Sequence, residues 1–191
     1  MKKKVSIIMS TYNTNEKFLR CAIESILNQD YYNFEFIIVI DGGNDLKVIK
    51  SYNDKRIIII KHDKCRGLPA SLNEAIKISN GDYIARMDSD DISLPFRLSR
   101  QVEYMEKNPE IDICGTFYRY FGEKSKYNIN VLNSYKEVKS QLFSKNALAH
   151  PSVMIKADFL KKYDLLYDEK YKYSQDFDLW TRACEFGNIS I

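Results

Sequence analysis

Apolar residues in the first part of the chain fall into short, nearly continuous runs separated by stretches of helical spacing. The runs occupy 5–9, 34–40, 57–60 and 82–87. Runs of this length predict strands that are buried on both faces of a sheet. Three other stretches have the spacing of helices, each with its apolar residues on one face: 18–27, 70–76 and 98–105. The alternation predicts an α/β fold, a single Rossmann-like domain with a mostly parallel central sheet and helices on both faces.

The second part of the chain is less regular. Its pattern predicts strands at 111–116 and 152–155 and helices at 137–144, 157–163 and 176–185. We expect this second half, about 111–191, to pack against the first half, about 1–110. Together the two halves would complete a cleft. No repeat or low-complexity linker divides 1–191, so one domain is predicted. Ser93 is the predicted N-cap of the helix at 98–105, with Pro95 in its first turn.

Polar side chains follow three of the predicted strands directly: Ser10 to Tyr12, Asp41, and Asp88 to Asp91. The carboxyl ends of parallel strands meet at one edge of a sheet, where α/β proteins bind their ligands. We therefore expect these three groups to lie close together. Convergence of the three groups at one edge indicates a ligand-binding site more strongly than any single motif does.

Asp88 and Asp90 point the same way if the acidic cluster is extended, because side chains alternate along such a segment. Two carboxylates that close repel each other unless a cation lies between them. Mg²⁺ and Mn²⁺ prefer oxygen ligands and commonly complete their shell with substrate phosphates. The pair therefore suits a metal-bound diphosphate. The alternative is a solvated turn that caps the next helix. We expect Asp91 to point away from the pair and to help start that helix.

Three further side chains have both a chemical and a structural interpretation. Asp41 is able to accept a hydrogen bond from a nucleobase imide, or it is a turn residue before two glycines. Tyr12 is able to stack on the base, or it is a half-buried tyrosine. Asp176, after the plausible N-cap Ser174, is either a general base or a carboxylate favoured by the helix dipole.

Charge and cysteine content narrow the class of protein. The formal net charge of +3 is too small to indicate nucleic-acid binding. The four cysteines form no C-x-x-C pair, which disfavours a zinc site or a disulfide framework and fits reduced thiols in the cytoplasm. No apolar run reaches the ~18 residues of a membrane span, and the start lacks a signal-peptide core.

Taken together, these motifs resemble the inverting nucleotide-sugar glycosyltransferases of family 2, which have the GT-A fold. The resemblance runs from residue 5 to about 187, and its specificity comes from the order of the motifs. The matching segments are VSIIMSTYN at 5–13, Asp41-Gly42, Gly67-Leu68 before a helix with Asn73, ARMDSDD at 85–91 before Leu94-Pro95, HPSVM at 150–154, and QDFDLW at 175–180.

The resemblance implies a role for each matching position. Ser10 and Tyr12 line the base pocket, and Asp41 binds the uracil or its equivalent. Arg66 reaches the base or the phosphates. Asp88 contacts ribose and metal, Asp90 is the principal metal ligand, and Asp176 is the catalytic base. His150 lies behind the sugar site, in either a functional or a structural role.

The implied partners are a nucleotide-sugar donor, in first place a UDP-sugar, a saccharide or glycolipid acceptor, and Mn²⁺ or Mg²⁺. Two positions depart from the family pattern: Ile40 replaces an acidic residue and Gln175 replaces a glutamate. Relatives continue past the point where this chain ends, so we expect a shortened form whose peripheral membrane contact belongs to the missing part. The oligomeric state is left open. A sugar nucleotidyltransferase and an inactive nucleotide-sugar-binding module are the alternatives; the absence of glycine from 10–17 disfavours the first.

Overall fold

The computed structural model of the chain describes residues 2–121, 127–128, 135–142 and 144–191. Much of the region 116–150, from which the sugar and acceptor preferences were expected to follow, lies outside the described residues, as does position 143 of the predicted helix 137–144. The elements, in chain order, are β1 Val5–Thr11, α1 Glu16–Leu27, β2 Phe34–Asp41, α2 Leu46–Lys50, β3 Ile57–His62, α3 Leu68–Ile78, β4 Tyr83–Asp88, α4 Arg97–Lys107, β5 Ile111–Cys114, β6 Tyr118–Arg119, β7 Tyr127–Asn128, α5 Tyr135–Leu142, a 3₁₀ turn His150–Ser152, β8 Met154–Lys156, α6 Ala157–Lys162, α7 Gln175–Ala183 and β9 Asn188–Ser190.

Seven strands form one sheet in the order β3-β2-β1-β4-β8-β5-β9. The first four in this order are mutually parallel, while β8 runs antiparallel to both β4 and β5. The chain moves outward from β1 to β3 and then returns to place β4 on the other side of β1. Strand order therefore reverses between β1 and β4, and such a switch point is where doubly wound sheets bind ligands.

Helices cover both faces of the sheet, as predicted. Alternate side chains of β1 point to opposite faces, so Ile7 and Ile8 belong to different apolar clusters. The cluster around Ile7 takes in the buried faces of α1 and α4. The cluster around Ile8 takes in α3, α5, α6 and α7. Burial of β1, β2 and β4 between these layers explains their nearly continuous apolar sequence.

Most elements lie where the sequence predicted them, but the predicted start of α4 is wrong. This helix begins at Arg97, and Ser93 is not its N-cap. Ser93 is buried against α1 instead, where its backbone N–H donates to Ser25 Oγ and its hydroxyl lies 3.3 Å from Gln29 Nε2. Ser174 does occupy the N-cap position of α7, yet it makes no side-chain capping bond. Helix α2 and the short pair β6–β7 were not predicted.

Within the part of the chain that the structure describes, no helix combines the length and the apolar character needed to cross a membrane.

Candidate active site

The predicted site residues at the strand ends do converge. In the register of the sheet, Ser10 of β1 stands beside Asp88 of β4 and, on its other side, beside Val39 of β2. Asp41 closes β2 at the same edge. Asp88 therefore ends β4 directly at the switch point between β1 and β4. The edge of the sheet brings together three positions that are far apart in the sequence.

Asp88 is held by Arg86, a charged residue whose side chain is only 2% exposed. The guanidinium donates to Asp88 Oδ1 at 2.6 Å through Nη2 and to His150 Nε2 at 3.3 Å through Nε. One carboxylate oxygen of Asp88 is thus committed to Arg86, and Oδ2 is left for another partner. A buried guanidinium is stable in a fold when its charge is paired and its N–H groups are satisfied.

His150 acts as a hydrogen-bond acceptor in this arrangement. Burial, together with the nearby charge of Arg86, lowers the pKa of His150 well below its usual value. The ring is therefore neutral, and its Nε2 accepts from Arg86 and from the Tyr167 hydroxyl at 2.8 Å. His150 supports Arg86, and through it the orientation of Asp88. This geometry favours the structural interpretation of the histidine.

The remaining carboxylates of the acidic cluster are crowded. Burial first, and then the charges of Asp88 and Asp90, raise the pKa of Asp91 to about 6. Asp91 does not help start α4, which begins further along the chain at Arg97. Asp90 is exposed at the surface of the turn. The three carboxylates together concentrate negative charge, of which Arg86 neutralises part through Asp88.

These residues fit a divalent cation. Oδ2 of Asp88, which has no bond to Arg86, and the exposed carboxylate of Asp90 are hard oxygen donors, and a cation beside them would offset the repulsion between the carboxylates. Among the described residues, no group of three His, Cys, Asp or Glu side chains surrounds a single metal position. A cation here would need further oxygen ligands from a diphosphate and water, which is how Mg²⁺ is commonly bound.

Asp41 organises the loop that follows β3. Its Oδ1 accepts from His62 Nδ1 and the backbone N–H of Arg66, both at 2.8 Å. Its Oδ2 accepts from the Cys65 thiol at 3.2 Å and the backbone N–H of Gly67 at 2.8 Å. Burial opposes ionisation, but these hydrogen bonds outweigh it and lower the pKa of Asp41 to about 2.

Both oxygens of Asp41 therefore already hold two donors each. A carboxylate has about four acceptor positions, so the loop fills them all. Direct bonding of Asp41 to a nucleobase stays a prediction. The described contacts give Asp41 a second task, which is to fix the loop at 62–67.

Gly42 allows this loop to approach the end of β2. Its φ is +79°, and a Cβ there would lie 2.4 Å from Cys65 N and 2.5 Å from Lys64 C. Both neighbours are backbone atoms, which side-chain rotation cannot move. The glycine after Asp41 is required both by conformation and by space.

Three predicted donor-binding residues lie around this edge with different exposure. Tyr12 is 56% exposed, and Ser10 at the end of β1 is half-buried. The Arg66 side chain is half-exposed and donates to Glu74 at 2.8 Å, and Glu74 also contacts His62. Their roles in binding a nucleotide stay predictions.

Asp176 lies in the first turn of α7, and Asn146 Nδ2 donates to its Oδ2 at 2.7 Å. The buried phenol of Tyr167 connects it to the acidic cluster electrostatically. Burial raises the pKa of Tyr167, Arg86 opposes that rise, and the charges of Asp176 and Asp88 add to it. The charges of Asp176 and Asp88 thus both act on the pKa of one buried phenol.

Arg86 and Tyr167 are the supporting residues whose role the sequence did not reveal. A signal for Arg86 was present, because an arginine inside a buried apolar strand requires a partner. Nothing local to Tyr167 distinguished it from the other 13 of the 14 tyrosines in the chain.

Comparison with known proteins identifies relatives across nearly the whole chain. The family model described as "Glycosyl transferase family 2" matches residues 6–173. An uncharacterized glycosyltransferase of Methanocaldococcus jannaschii is 45% identical over 194 residues, covering 95% of this chain and 65% of that protein. A UDP-Glc:alpha-D-GlcNAc-diphosphoundecaprenol beta-1,3-glucosyltransferase of Escherichia coli, WfaP, is 32% identical over 186 residues, covering 96% of this chain and 71% of that protein.

Two solved structures share the fold. S. aureus TarS 1-349 in complex with UDP superposes with a TM-score of 0.82 at 21% identity, covering 98% of this chain and 57% of that one. The mannosyltransferase PcManGT from Pyrobaculum calidifontis, in complex with GDP-Man and Mn²⁺, gives 0.75 at 15% identity, covering 100% of this chain and 55% of that one. These likenesses confirm the expected GT-A fold. The chain spans about two thirds of the length of the curated relatives that it matches.

Proposed function

Because the chain belongs to glycosyl transferase family 2, we propose that it transfers a sugar from a UDP-sugar to a hydroxyl of a saccharide or glycolipid acceptor, with inversion at the anomeric carbon. The observation that carries the proposal is the hydrogen-bonded group Asp88–Arg86–His150–Tyr167, which fixes Asp88 at the switch point of the sheet. Relatives support the donor class: TarS has been solved with UDP, and the name of WfaP specifies UDP-Glc.

The donor lies against the carboxyl edge of β1, β2 and β4 in this proposal. Ser10 and Tyr12 line the base pocket, and the loop fixed by Asp41 presents Arg66 beside them. Tyr12 is exposed enough to stack on the base without repacking the core. Asp41 contributes through the loop as well as through any direct contact with the base.

Asp88 and Asp90 would hold the cation, Mn²⁺ or Mg²⁺, beside the diphosphate of the donor. Arg86 keeps Asp88 Oδ1 in place, so that the carboxylate would bind a cation through Oδ2 without having to reorganise. The chemistry that a bound cation would supply there is neutralisation of the charge that develops on the leaving diphosphate. The Mn²⁺ complex of PcManGT supports a divalent cation in this fold.

Asp176 takes the proton from the acceptor hydroxyl. Asn146 holds Oδ2, which leaves Oδ1 to face the acceptor. The hydroxyl oxygen attacks the anomeric carbon opposite the leaving diphosphate, so the configuration inverts. Gln175, buried beside Asp176, takes the place of a charged residue and adds no second carboxylate.

The acceptor side of the proposal draws on the lipid-linked substrate named for WfaP. An acceptor on a lipid diphosphate would bring the enzyme to the membrane that carries it. Peripheral membrane contact and synthesis of a surface polysaccharide or glycoconjugate are therefore part of the proposal. The expected cytoplasmic location stays a prediction.

Substitution of Asp176 by Asn tests the proposal. A thermal-shift screen of nucleotide-sugars with Mn²⁺ first identifies the donor, because a ligand that binds only the folded state stabilises it by an amount that grows with the logarithm of its concentration over Kd. Asp176→Asn is then expected to lower transfer roughly 10²–10⁴-fold, the usual contribution of a general base, while UDP binding stays near normal. Transfer is measured as UDP release in the presence of saccharide or lipid-linked acceptors.

Asp178→Asn is the matched control, since it lies on the same helix but pairs with Arg182 at 2.6 Å. It should retain transfer. Equal activity of Asp176→Asn and wild type would overturn the base assignment. Binding of UDP and Mn²⁺ without transfer to any acceptor would instead indicate a binding module, and pyrophosphate release from UTP and a sugar 1-phosphate would indicate a nucleotidyltransferase.

A further inference from the structure

A chain of hydroxyl groups connects the buried carboxylate of Asp45 to Ser89, which lies within the acidic cluster Asp88 to Asp91. Asp45, which is 5% exposed, accepts from Thr11 Oγ1 at 2.5 Å. Thr11 Oγ1 lies 2.9 Å from Thr14 Oγ1, and Thr14 Oγ1 lies 2.8 Å from Ser89 Oγ. The chain starts just before α2, crosses the loop after β1 and ends between Asp88 and Asp90.

The direction of every hydrogen bond in this chain is fixed by its first member. An ionised carboxylate only accepts, and each hydroxyl has a single proton. Thr11 donates its proton to Asp45, so its oxygen accepts from Thr14. Thr14 has then used its own proton, so its oxygen accepts from Ser89. The proton of Ser89 therefore points back along the chain, toward Thr14.

A serine whose proton is committed in this way presents only lone pairs to its other neighbours. Ser89 is half-buried and stands between the two proposed metal ligands, where the donor diphosphate and its ribose would lie. An oxygen that only accepts suits an O–H group, and it would repel a phosphate oxygen. The other oxygen groups of a nucleotide–cation complex that carry protons are the ribose hydroxyls and the water on the cation.

We infer that Ser89 is a further donor-site residue, which accepts a hydrogen bond from an O–H group of the nucleotide–cation complex, with Asp45, Thr11 and Thr14 as its positioning residues. This rests on the proposed function for the identity of the donor. The chain of bonds depends on side chains from β1, from the four-residue loop between β1 and α1, from the residue before α2 and from the turn after β4.

The test measures the Kd of UDP in the presence of Mn²⁺ by calorimetry. Thr14→Val keeps the shape of the side chain and removes the hydroxyl, which frees the Ser89 proton. We expect affinity to fall roughly three- to tenfold, the usual effect of losing one hydrogen bond. Thr14→Ser restores the hydroxyl and should restore the affinity. Thr181→Val is the control, because the exposed hydroxyl of Thr181 donates to the Phe177 carbonyl of its own helix.

Ser89→Ala provides the second variant, and it should weaken UDP binding to a similar degree. If Thr14 acts through Ser89, adding Thr14→Val to Ser89→Ala causes no further loss, because the two residues belong to one chain of bonds. Repeating the measurement with 2′-deoxy-UDP and 3′-deoxy-UDP identifies the O–H group. A loss that disappears with one deoxynucleotide assigns that ribose hydroxyl, and a loss that persists with both but requires Mn²⁺ assigns the metal-bound water.

The inference is overturned if Thr14→Val binds UDP as tightly as Thr181→Val, if Thr14→Ser is as weak as Thr14→Val, or if the losses of Thr14→Val and Ser89→Ala simply add. A wild-type protein that binds no UDP with Mn²⁺ overturns the proposed donor, and the inference falls with it. The two failures are therefore distinguished by the wild-type measurement alone.

Discussion

At the scale of single residues, the candidate site depends on charges whose partners are distant in the sequence. Arg86 contacts Asp88 two positions away, but also His150, which is 64 positions away. Asp41 receives its donors from residues 21 to 26 positions further along. The sequence predicted that Asp41, Asp88 and Asp90 lie at strand ends, because that follows from local pattern. It did not predict their partners, which depend on how the sheet is ordered.

Asp41→Asn is expected to lower the free energy of unfolding by about 2 kcal/mol near neutral pH, since one pKa unit corresponds to about 1.4 kcal/mol. Asp41 has a pKa lowered to about 2 in the fold, so its stabilising effect is complete above the unfolded value near 3.9 and is lost as the pH falls toward 2. Urea unfolding of both proteins should therefore show a constant difference from about pH 8 to pH 5 that shrinks below about pH 4.

Asp63→Asn serves as the control, because Asp63 lies in the same loop but is exposed. It should leave the unfolding free energy within about 0.5 kcal/mol of wild type. A difference for Asp41→Asn that is the same at acidic and neutral pH would show that shape, and not the ionised carboxylate, carries the effect.

At the scale of elements, the periodic segments were predictable and their ends were less so. Apolar runs predicted β1, β2 and β4 because these strands are buried on both faces. The start of α4 was predicted too early, because Ser93 was assumed to cap its own helix when its polar groups in fact contact α1. A serine that caps the following helix and a serine that contacts another helix look the same in the local sequence.

The turn between β2 and α2 gives a prediction at this scale. Gly42→Ala should cost about 3 kcal/mol or more, since it adds a strained φ to a clash with the Lys64–Cys65 backbone. Gly115→Ala crowds only the end of the Leu148 side chain, at 2.7 Å, and should cost about 1 kcal/mol. Chemical unfolding of both variants measures the difference. Similar losses would indicate that the loop at 64–65 shifts freely, against the arrangement described for Asp41.

At the scale of the whole molecule, the two halves share one sheet. Strand β8, from the second half, pairs with β4 of the first, and Ile84 stands opposite Ile155. The fold class could be predicted because alternation of strands and helices permits few architectures. The strand predicted at 152–155 is β8, but its antiparallel position between β4 and β5 could not be predicted, because the pattern of a strand does not specify its neighbours in the sheet.

Unfolding should accordingly be a single transition. Trp180 is the one tryptophan of the sequence, it is 0% exposed, and it lies in the second half. Its fluorescence should report the same thermal midpoint as far-UV circular dichroism, because neither half buries its strand edge alone. UDP with Mn²⁺ should raise both midpoints equally. Two separated midpoints would show that 1–110 and 111–191 unfold as independent units.

The four hydrogen bonds to Asp41 have a consequence for the thermodynamics of association. The wall that they build along residues 65–67 is complete before any nucleotide arrives. A ligand that meets a preorganised wall does not bear the entropy cost of ordering it. Donor binding should therefore show a heat-capacity change that matches the apolar area covered by the nucleotide, without the larger change that accompanies coupled folding. The hydrogen bonds to the Asp41 carboxylate form during folding. The entropy cost of ordering the loop is therefore not subtracted from the affinity for the nucleotide.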